Sequence, residues 1–415
     1  MEEKISEKIK NTLDRRQFIT GVGAAAVSSF FIVDARSISS SAANSRIRLG
    51  LIGCGGRGLW ITNLFKQHGG YEITACADYF QEKIDNAADK FKIPKSGCFD
   101  GLSGYKRLID SNLVDAVAIE SPPYFHPQQA KAAVEAGINV YLAKPISVDV
   151  PGCLSVEKSA ARAGKNNLVF LVDFQTRAND YFNEALKRVH DGALGTMIFG
   201  ESTYHADCPF QHWFDMYRKD ADNPEVRLYC WGLDRYLSGD IITEQNIHTL
   251  DVATWILDAA PVYAIGTGGL KSRDIGTIWD HFVVYYQFPG NIGVNFSSYQ
   301  FEDYGTQNGI RNRMFGSEGV LETEYGGQVL IRGNHFYRGG KTSPIYQEGA
   351  ENNIKTFYDS IQNKNYTNPT VTPSVRSNLT TILGRTAAYK GDQVYWYQLL
   401  NQQEKWHVDL SSLKD

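Results

Sequence analysis

Three side chains of this sequence could act together to remove a proton from a hydroxyl group. Lys144 stands before a proline at the end of an apolar segment, and Glu244 precedes His248 by four positions. Residues four apart share one face of a helix, so a carboxylate at 244 would orient the imidazole at 248. Imidazole suits a general base near neutral pH, and an ammonium group stabilises negative charge on oxygen. We therefore predict His248 as the base, Glu244 as its orienting carboxylate and Lys144 as the electrostatic stabiliser.

The same Glu244–His248 pair is compatible with half of a metal site. Asp280 and His281 are the candidates for further ligands, but their spacing is not typical of a metal motif. The six cysteines include no Cys-x-x-Cys pair, so the sequence predicts neither a zinc nor a redox motif. We predict that the protein holds no metal, and the pairing of the cysteines stays open.

A glycine-rich turn is the strongest cofactor signal. A strand is predicted over 47–52 and a helix over 59–67, and the sequence GCGGRG joins them. Glycines in such a turn permit a tight bend, close approach of the backbone to a pyrophosphate and close packing of helix on strand. Free N–H groups at the helix N-terminus then face the phosphates, and an arginine adds positive charge. The predicted cofactor-binding residues of the turn are Gly53, Gly55, Gly56, Arg57 and Gly58.

The second predicted strand, 71–77, is followed by an acidic residue. Asp78 comes twenty positions after Gly58. A carboxylate there is placed to accept hydrogen bonds from the adenosine ribose, and it repels a 2′-phosphate. The alternative is that Asp78 caps the following helix. We predict that the cofactor is NAD and not NADP.

Strands and helices alternate through residues 46–173. Strands rich in Val and Ile, separated by helices, predict a parallel sheet covered on both faces, which is a Rossmann domain. Ligands of such sheets bind beyond the carboxyl ends of the strands. Residues that follow predicted strands are therefore candidates for the site: Ser121, Pro122, His126 and Lys144 for the cofactor, Gln175 and Arg177 for the substrate.

The pattern changes over residues 174–415. Longer alternating segments predict an open, mostly antiparallel sheet, and a helix predicted over 374–389 is expected to pack back on the first domain. Aromatic residues cluster before the histidine motif. Trp231 is the candidate among them for stacking on a sugar, although such a cluster also suits a domain interface. We predict an α/β chain in which the second domain binds the substrate.

The N-terminal segment resembles a twin-arginine export signal over residues 1–43. Arg15 and Arg16 precede an uncharged, weakly apolar run over 21–33, and the small residues of 41–43 follow. The run is too short to span a bilayer. The alternative is a helix of the mature fold. We predict a periplasmic or otherwise exported protein that crosses the membrane already folded.

The charge balance argues against two classes of partner. The 42 basic and 46 acidic residues give a net charge of −4, which favours neither nucleic acid nor an anionic membrane surface. No cysteine directly follows the apolar run, so no lipid anchor is expected. The expected partner is a small molecule.

Together these motifs resemble the Gfo/Idh/MocA oxidoreductases. The resemblance rests on the glycine turn, the Ser-Pro-Pro-x-x-His segment that begins at Ser121, the Lys-Pro pair at 144–145 and the motif that ends at His248. It covers about residues 46–389. It implies a Rossmann domain, a C-terminal α/β domain with a wide open sheet, and NAD(P)-dependent oxidation of sugars, cyclitols or related hydroxyl compounds. That sheet is also the expected surface for a homo-oligomer.

Three positions depart from the family pattern. The usual Glu-Lys-Pro has Ala143 in place of the glutamate, so Lys144 loses its acidic neighbour. In the histidine motif, the usual aspartate is Glu244 and a usual glycine is Asn246. The lysine and His248 are retained, whereas the orienting carboxylate and the substrate are left open.

The leading hypothesis is a NAD-dependent oxidoreductase that transfers a hydride to or from a hydroxyl-bearing carbon of a sugar, glycoside or cyclitol. A redox-neutral glycosidase, which oxidises, eliminates and then reduces, is the first alternative. A non-catalytic sugar-binding protein with a vestigial dinucleotide fold is the second, and the retained Lys144 and His248 argue against it. Because an exported enzyme meets no dependable pool of NAD, we expect the cofactor to be tightly bound.

Overall fold

The residues of the predicted site lie partly at the strand ends of a parallel β-sheet and partly on helical segments of the half that carries a second sheet. The computed structural model describes residues 46–302, 304–305, 309–342 and 345–415. The predicted export signal, residues 1–43, lies outside the described residues. The two sheets belong to one unit that extends from Arg46 to Asp415.

A parallel sheet fills the first half of the described chain. Its strand order is β3-β2-β1-β4-β5-β6, with all described pairs parallel. The strands are β1 (Ile47–Ile52), β2 (Tyr71–Asp78), β3 (Cys98–Asp100), β4 (Ala116–Ile119), β5 (Asn139–Ala143) and β6 (Phe170–Asp173). The strand order reverses between β1 and β4, which is where doubly wound sheets bind ligands. The predicted Rossmann-type sheet is confirmed, although the sequence pattern did not indicate the short strand β3.

Both faces of this sheet are buried. Val117 and Leu142 contribute to one apolar cluster, whereas Ala118 and Tyr141 contribute to another that includes Phe65. Strands buried on both faces read as continuous apolar runs, which explains why they were recognisable in the sequence. The helices of this half are α1 (Gly56–His68), α2 (Gln81–Phe91), α3 (Gly104–Asp110), α4 (His126–Glu135) and α5 (Val150–Lys165).

A second sheet of nine described strands fills the second half. Its order is β14-β13-β12-β11-β7-β10-β9-β8-β15, in which β7 and β10 are parallel and the other described pairs antiparallel. The strands are β7 (Met197–His205), β8 (Tyr263–Gly269), β9 (His281–Phe288), β10 (Ile292–Tyr299), β11 (Gly309–Gly316), β12 (Gly319–Glu324), β13 (Gln328–Gly333), β14 (Tyr337–Lys341) and β15 (Val394–Tyr395). The predicted open, mostly antiparallel sheet is confirmed, and β13 and β14 extend it beyond the predicted segments.

The second half also holds the helices that position the site. They are α6 (Asp180–His190), α7 (Phe214–Lys219), α8 (Pro224–Tyr229), α9 (Arg235–Ser238), α10 (Asp240–Glu244), α11 (Ile247–Leu257), α12 (Ile345–Gln362), α13 (Val371–Lys390) and α14 (Trp396–Gln402). Helix α13 is the one predicted over 374–389. It contacts both halves, because Asn378 accepts a hydrogen bond from the Ile146 amide at 2.9 Å and Thr381 donates to Thr243 at 3.1 Å.

Two further features of the described chain concern membranes and disulfide bonds. None of its helices combines the length and the apolar character that crossing a membrane requires. All six cysteines are free thiols.

Candidate active site

The glycine turn between β1 and α1 leaves space where side chains are absent. Gly53 has a φ of +96°, and a Cβ at Gly58 would lie 1.9 Å from the Gly53 carbonyl oxygen. A Cβ at Gly55 or Gly56 would meet no atom of the described chain within 4 Å. Helix α1 starts without a side-chain cap and without an acidic residue in its first turn. The turn therefore presents N–H groups to an open cradle, which fits a pyrophosphate.

Asp78 holds the far side of this turn. One carboxylate oxygen accepts from the Cys54 amide at 2.7 Å, and the other accepts from the Phe80 amide at 3.0 Å. These bonds fix the carboxylate at the end of β2, and its remaining lone pairs can accept from ribose hydroxyls. The N-cap of α2 is Phe80 and not Asp78.

One pocket brings half of the ten predicted cofactor residues together. Its lining includes Gly53, Gly55, Asp78, Ser121 and Pro122, together with Tyr79, Leu102, Tyr105, Glu120 and Phe125, which the sequence pattern did not indicate. Trp231, predicted to bind the substrate, lines the same pocket beside the rings of Phe210 and Trp213. The turn, the carboxylate of Asp78 and this pocket fit a dinucleotide.

Lys144 follows β5 and is held by Glu244. The Lys144 Nζ donates to the main-chain oxygen of Glu244 at 2.6 Å and lies 3.6 Å from its carboxylate. The two side chains are only 10% and 13% exposed. Burial lowers the pKa of Lys144, and the negative charge of Glu244 opposes that shift. The ammonium group retains further N–H donors for a substrate oxygen.

His248 is a buried imidazole close to two cations. Burial lowers the pKa of His248 well below 6.5, and the charges of Lys144 and Arg57 lower it further. The Tyr325 ring packs against it with 4.9 Å between ring centroids. The imidazole is therefore neutral near neutral pH and able to accept a proton, as a general base must.

The prediction that Glu244 and His248 share one helix is wrong. Helix α10 ends at Glu244, and at the break the Asn246 amide bonds to the Ile241 carbonyl, five residues earlier, at 2.9 Å. This longer turn interrupts the regular four-residue hydrogen bonding before α11 begins. The polar contacts described for Glu244 are with Lys144, so we assign this carboxylate to holding the lysine.

Arg57 lies between carboxylates at the ends of two other strands. Its Nη2 donates to Asp173 at 2.5 Å, and its Nε lies 3.0 Å from the Glu120 carboxylate. The Gln175 carbonyl oxygen accepts from this guanidinium at 3.0 Å, and the Gln175 amide nitrogen donates to the Tyr325 hydroxyl at 3.0 Å. Arg57 thus neutralises buried carboxylates, which are costly without a cation, instead of adding charge at the phosphates as predicted. Gln175 is also committed to this polar cluster.

His126 supports the site from behind and does not line the pocket as predicted. The side chain is buried, with Nδ1 2.8 Å from the Pro145 carbonyl oxygen and Nε2 2.7 Å from that of Ser121. Burial lowers the pKa of His126 to about 4, so the neutral ring donates to one of these carbonyls. His126 therefore packs between the loop after β4 and the loop that carries Lys144, and it bonds one of them.

Arg177 also has a different role from the predicted one. Its Nε and Nη2 donate to the Asp251 carboxylate at 3.0 and 2.9 Å, and its guanidinium lies 4.9 Å from the centre of the Trp255 ring. Because Asp251 is fully buried, it requires a cationic partner. Arg177 ties the segment after β6 to α11 and is not available for a substrate.

Sequence reasoning missed four polar residues of the site: Glu120, Asp173, Tyr325 and Asn353. Glu120 and Asp173 stand at strand ends, which is the signal that identified their neighbours, so the sequence did contain it. Asn353 on α12 donates to Asp173 at 2.8 Å, and no local spacing connects those two segments. Within the described ranges no group of three or more His, Cys, Asp or Glu side chains is arranged to hold a metal ion.

Comparison with known proteins bears on both halves of the chain. The Gfo/Idh/MocA model described as "Oxidoreductase family, NAD-binding Rossmann fold" matches residues 47–171. The "GFO/IDH/MocA C-terminal domain" matches residues 182–322. Together the two matches cover more than half of the chain.

Individual relatives are more distant. An α-N-acetylgalactosaminidase from Shewanella oneidensis is 28% identical over 165 residues, which is 38% of this chain and 35% of that protein. An inositol 2-dehydrogenase/D-chiro-inositol 3-dehydrogenase from Halalkalibacterium halodurans is 26% identical over 213 residues, 51% of this chain and 53% of that one. A solved structure, an aldose–aldose oxidoreductase from Caulobacter crescentus, has a TM-score of 0.67 at 20% identity and covers 84% of this chain and 99% of its own.

These similarities differ in what they establish. The matches span about a third to a half of the two curated relatives, and the likeness to the solved structure shows the fold. The family assignment rests on the two domain matches, which agree with the order of the two sheets. The chain belongs to the Gfo/Idh/MocA oxidoreductase family, and its first half is that family's NAD-binding Rossmann domain.

Proposed function

We propose that this protein is a NAD-dependent oxidoreductase acting on a hydroxyl group of a sugar, glycoside or cyclitol. The observation that carries the proposal is that a buried ammonium group, Lys144, lies near a neutral imidazole, His248. Lys144 belongs to the Rossmann half of the chain, and His248 belongs to the second half. An inositol dehydrogenase and an aldose–aldose oxidoreductase among the similar proteins support this substrate class.

Oxidation of a secondary alcohol removes a proton from oxygen and a hydride from carbon. NAD, when bound, supplies the hydride acceptor. A ring nitrogen of His248 takes the proton, because burial keeps the imidazole unprotonated. Lys144 Nζ, with one N–H fixed on the Glu244 carbonyl, directs another at the substrate oxygen and stabilises its developing negative charge.

The cofactor is retained through turnover, and the chain is exported through its twin-arginine signal. The support for export is the Arg15-Arg16 pair and the apolar run over 21–33. Outside the cytoplasm a released cofactor would be lost, so the hydride must return to a carbonyl on the same enzyme. A second sugar is a suitable acceptor, and the name of the Caulobacter crescentus neighbour is consistent with two sugar substrates.

Self-association through the outer face of the second sheet belongs to the same proposal. Ile198, Phe199 and Val283 are 54%, 40% and 53% exposed there, and Phe199 stacks on Phe315 with ring centroids 4.4 Å apart. Such an apolar sheet face is typical of a homo-oligomer contact. Light scattering on the parent and on Val283→Lys tests it, since a dimer through this face would dissociate in the variant.

A redox-neutral glycosidase is the second candidate function. The similarity to an α-N-acetylgalactosaminidase favours it. With bound NAD as the hydride acceptor, the same His248 and Lys144 would first assist the oxidation of a sugar hydroxyl. Loss of the proton beside the new carbonyl would then expel the glycosidic oxygen. Water would add in its place, and the hydride would return to the carbonyl, so that no external acceptor is consumed.

Purified protein incubated with candidate glycosides and no added NAD separates these functions. A keto-sugar formed only when a carbonyl acceptor is supplied supports the oxidoreductase, whereas free sugar released without an acceptor supports the glycosidase. Ligand binding without turnover in the parent would support a binding protein. The matched control is Lys144→Ala, assayed at equal nucleotide content. Protein that purifies empty and binds NAD only weakly would contradict both retention and export.

A further inference from the structure

Glu120 directly follows β4 and is an unsatisfied carboxylate in the described part of the chain. Its side chain is fully buried, and neither carboxylate oxygen has a hydrogen-bond partner among the described residues. Arg57 Nε approaches to 3.0 Å as an ion pair, but without the alignment of a hydrogen bond. Buried polar atoms are almost always bonded, so two orphan oxygens on one carboxylate require an explanation.

The position of Glu120 points to a ligand as that explanation. Glu120 lines the pocket that also contains Gly53, Gly55 and Asp78. Strand β4 lies on the other side of β1 from β2, where Asp78 stands. A dinucleotide with its adenosine ribose at Asp78 and its pyrophosphate at the glycine turn must continue across β1 toward β4. Its nicotinamide nucleoside would then lie near Glu120.

The register of the sheet adds a second observation. Strands β4 and β5 are parallel neighbours in which Ile119 is paired with Leu142, so Glu120 continues that register opposite Ala143. Ala143 is the position where the sequence lacks the usual acidic residue before Lys144. A carboxylate is thus present one strand away, at the same level of the sheet edge.

We propose that Glu120 accepts hydrogen bonds from the ribose hydroxyls on the nicotinamide side of the bound cofactor, replacing across the β4–β5 pair the carboxylate that Ala143 lacks. The assignment rests on the proposed NAD-dependent function. An ionised carboxylate is an acceptor only, and a ribose diol offers two neighbouring O–H donors. The nicotinamide ring attached to that ribose would then be held on the Lys144 side of the pocket.

The charges around Glu120 give the binding a pH dependence. Burial raises the pKa of Glu120 to about 7, the Asp173 carboxylate on β6 raises it, and the cations of Arg57 on α1 and Lys144 after β5 lower it. Hydroxyl donors favour the ionised carboxylate. Binding therefore releases a proton near neutral pH, and the affinity rises as pH increases through that region.

Asp173 provides a matched control carboxylate in the same cluster. Its side chain is also fully buried, but its oxygens accept from Asn353 at 2.8 Å and from Arg57 at 2.5 Å. It has the partners that Glu120 lacks. Asp173→Asn therefore removes one negative charge near Arg57 without removing an unsatisfied acceptor.

The test compares three nucleotides on nucleotide-free protein by calorimetry: NAD, ADP-ribose and AMP. NAD and ADP-ribose carry the second ribose, whereas AMP stops at the adenosine half. Glu120→Gln should weaken NAD and ADP-ribose by about 10- to 100-fold, the range expected for losing hydrogen bonds to a charged group, and leave AMP unchanged. It should also abolish the buffer-dependent heat that reports proton release. Ala143→Glu added to Glu120→Gln should restore much of the lost affinity, and Asp173→Asn should retain the preference of the parent for ADP-ribose over AMP.

Four results would overturn this assignment. Unchanged NAD affinity in Glu120→Gln would remove Glu120 from the binding site while leaving the proposed NAD-dependent function intact. An equal loss for AMP would show a structural role instead. A loss for NAD but not for ADP-ribose would place Glu120 at the nicotinamide ring. A parent protein that binds none of the three nucleotides would overturn the proposed function as well.

Discussion

The two ends of the ligand-binding edge of the parallel sheet present different kinds of chemical groups. At β1 and β2 the glycine turn offers main-chain N–H groups and one carboxylate, Asp78, which is itself held by two amides. At β4, β5 and β6 the site consists of long charged side chains, among them Arg57, Lys144 and Glu244, that hold one another across separate segments. A backbone cradle depends on space, whereas a side-chain cluster depends on charge balance. The two ends should therefore respond to different substitutions.

The largest effect on nucleotide binding is expected from methyl groups added to the turn. In Gly58→Ala the new Cβ would lie 1.9 Å from the Gly53 carbonyl oxygen, so α1 must move away from β1. We expect the variant to lose bound nucleotide and to unfold at lower temperature, because overpacking against main chain typically costs about 1–3 kcal/mol or more. Nucleotide content after purification and the melting temperature measure both effects.

Gly55→Ala distinguishes an effect on nucleotide binding from an effect on the stability of the fold. Its Cβ meets no described atom within 4 Å, so the melting temperature of nucleotide-free protein should match the parent. The methyl group instead occupies the space that a pyrophosphate needs, and we expect nucleotide binding to be lost. Retained NAD in Gly55→Ala would show that the phosphates lie elsewhere.

The turn was predictable because its chemistry is local. Six consecutive residues, a strand before them and a helix after them specify the bend, and Asp78 needs only the end of the next strand. The partners of Arg57, His126 and Arg177 were not predictable in this way. Arg57 and Arg177 each pair with a buried carboxylate from a segment distant in sequence, and no spacing rule predicts those pairings. His126 bonds main-chain carbonyl oxygens, which a sequence pattern does not indicate.

The second largest effect concerns the reacting hydroxyl. Lys144→Ala and His248→Ala should each lower turnover by about 100-fold or more, since both groups act on the same oxygen. Neither substitution alters the glycine turn, so nucleotide content should remain close to that of the parent. Single-turnover rates at equal nucleotide loading provide the measurement, and near-parental turnover in either variant would remove that residue from the site.

The third prediction concerns an ion pair outside the reaction. Arg177→Ala leaves the fully buried Asp251 carboxylate without its cation, and breaking such a pair typically costs about 3–5 kcal/mol. Arg188→Ala is the matched control, because its partner Glu184 and Arg188 itself are both 43% exposed and such pairs contribute about 0–1 kcal/mol. Denaturant unfolding compares the two variants. A change in KM without a loss of stability in Arg177→Ala would restore the substrate role that the sequence suggested.

The contrast between features set by local sequence and features set by distant partners also applies to the fold. The buried parallel strands were recognisable because both faces are apolar, whereas β13, β14 and α12 were missed. Strand β14 has the sequence Tyr-Arg-Gly-Gly-Lys, which has no apolar alternation, and it exists as an edge paired to β13. Such an element is stabilised by its neighbour more than by its own sequence pattern.

A smaller effect is expected at the C-terminal tail, which packs against Tyr79 and Leu102, two residues that line the pocket. The Leu102 amide donates to the Lys414 carbonyl at 3.1 Å, the Lys414 amide donates to the Tyr79 hydroxyl at 3.3 Å, and Leu413 is buried in the same apolar cluster as Tyr79. Removing residues 411–415 should speed NAD release by about 10-fold, equivalent to about 1.4 kcal/mol of lost support. Ser412→Ala, at an exposed position, is the control. Equal release rates in the truncated and parent proteins would show that the tail does not retain the cofactor.

The smallest predicted effect concerns the pH dependence of kcat, in which the protonation of His248 should not be visible near neutral pH. An ordinary histidine base would be half protonated at pH 6.5, and turnover would halve there. Because burial and the nearby cations lower the pKa of His248 well below 6.5, the imidazole stays neutral and kcat should be flat through pH 6.5, falling only at lower pH. On the basic side, burial lowers the pKa of Lys144 from 10.5, so kcat should decline before that pH is reached. The measurement must use kcat with retained cofactor, because the pKa of Glu120 near 7 also alters NAD affinity. An acid limb at or above pH 6.5 would mean that the base is solvated, and it would move the proton acceptor away from His248 to a more exposed group.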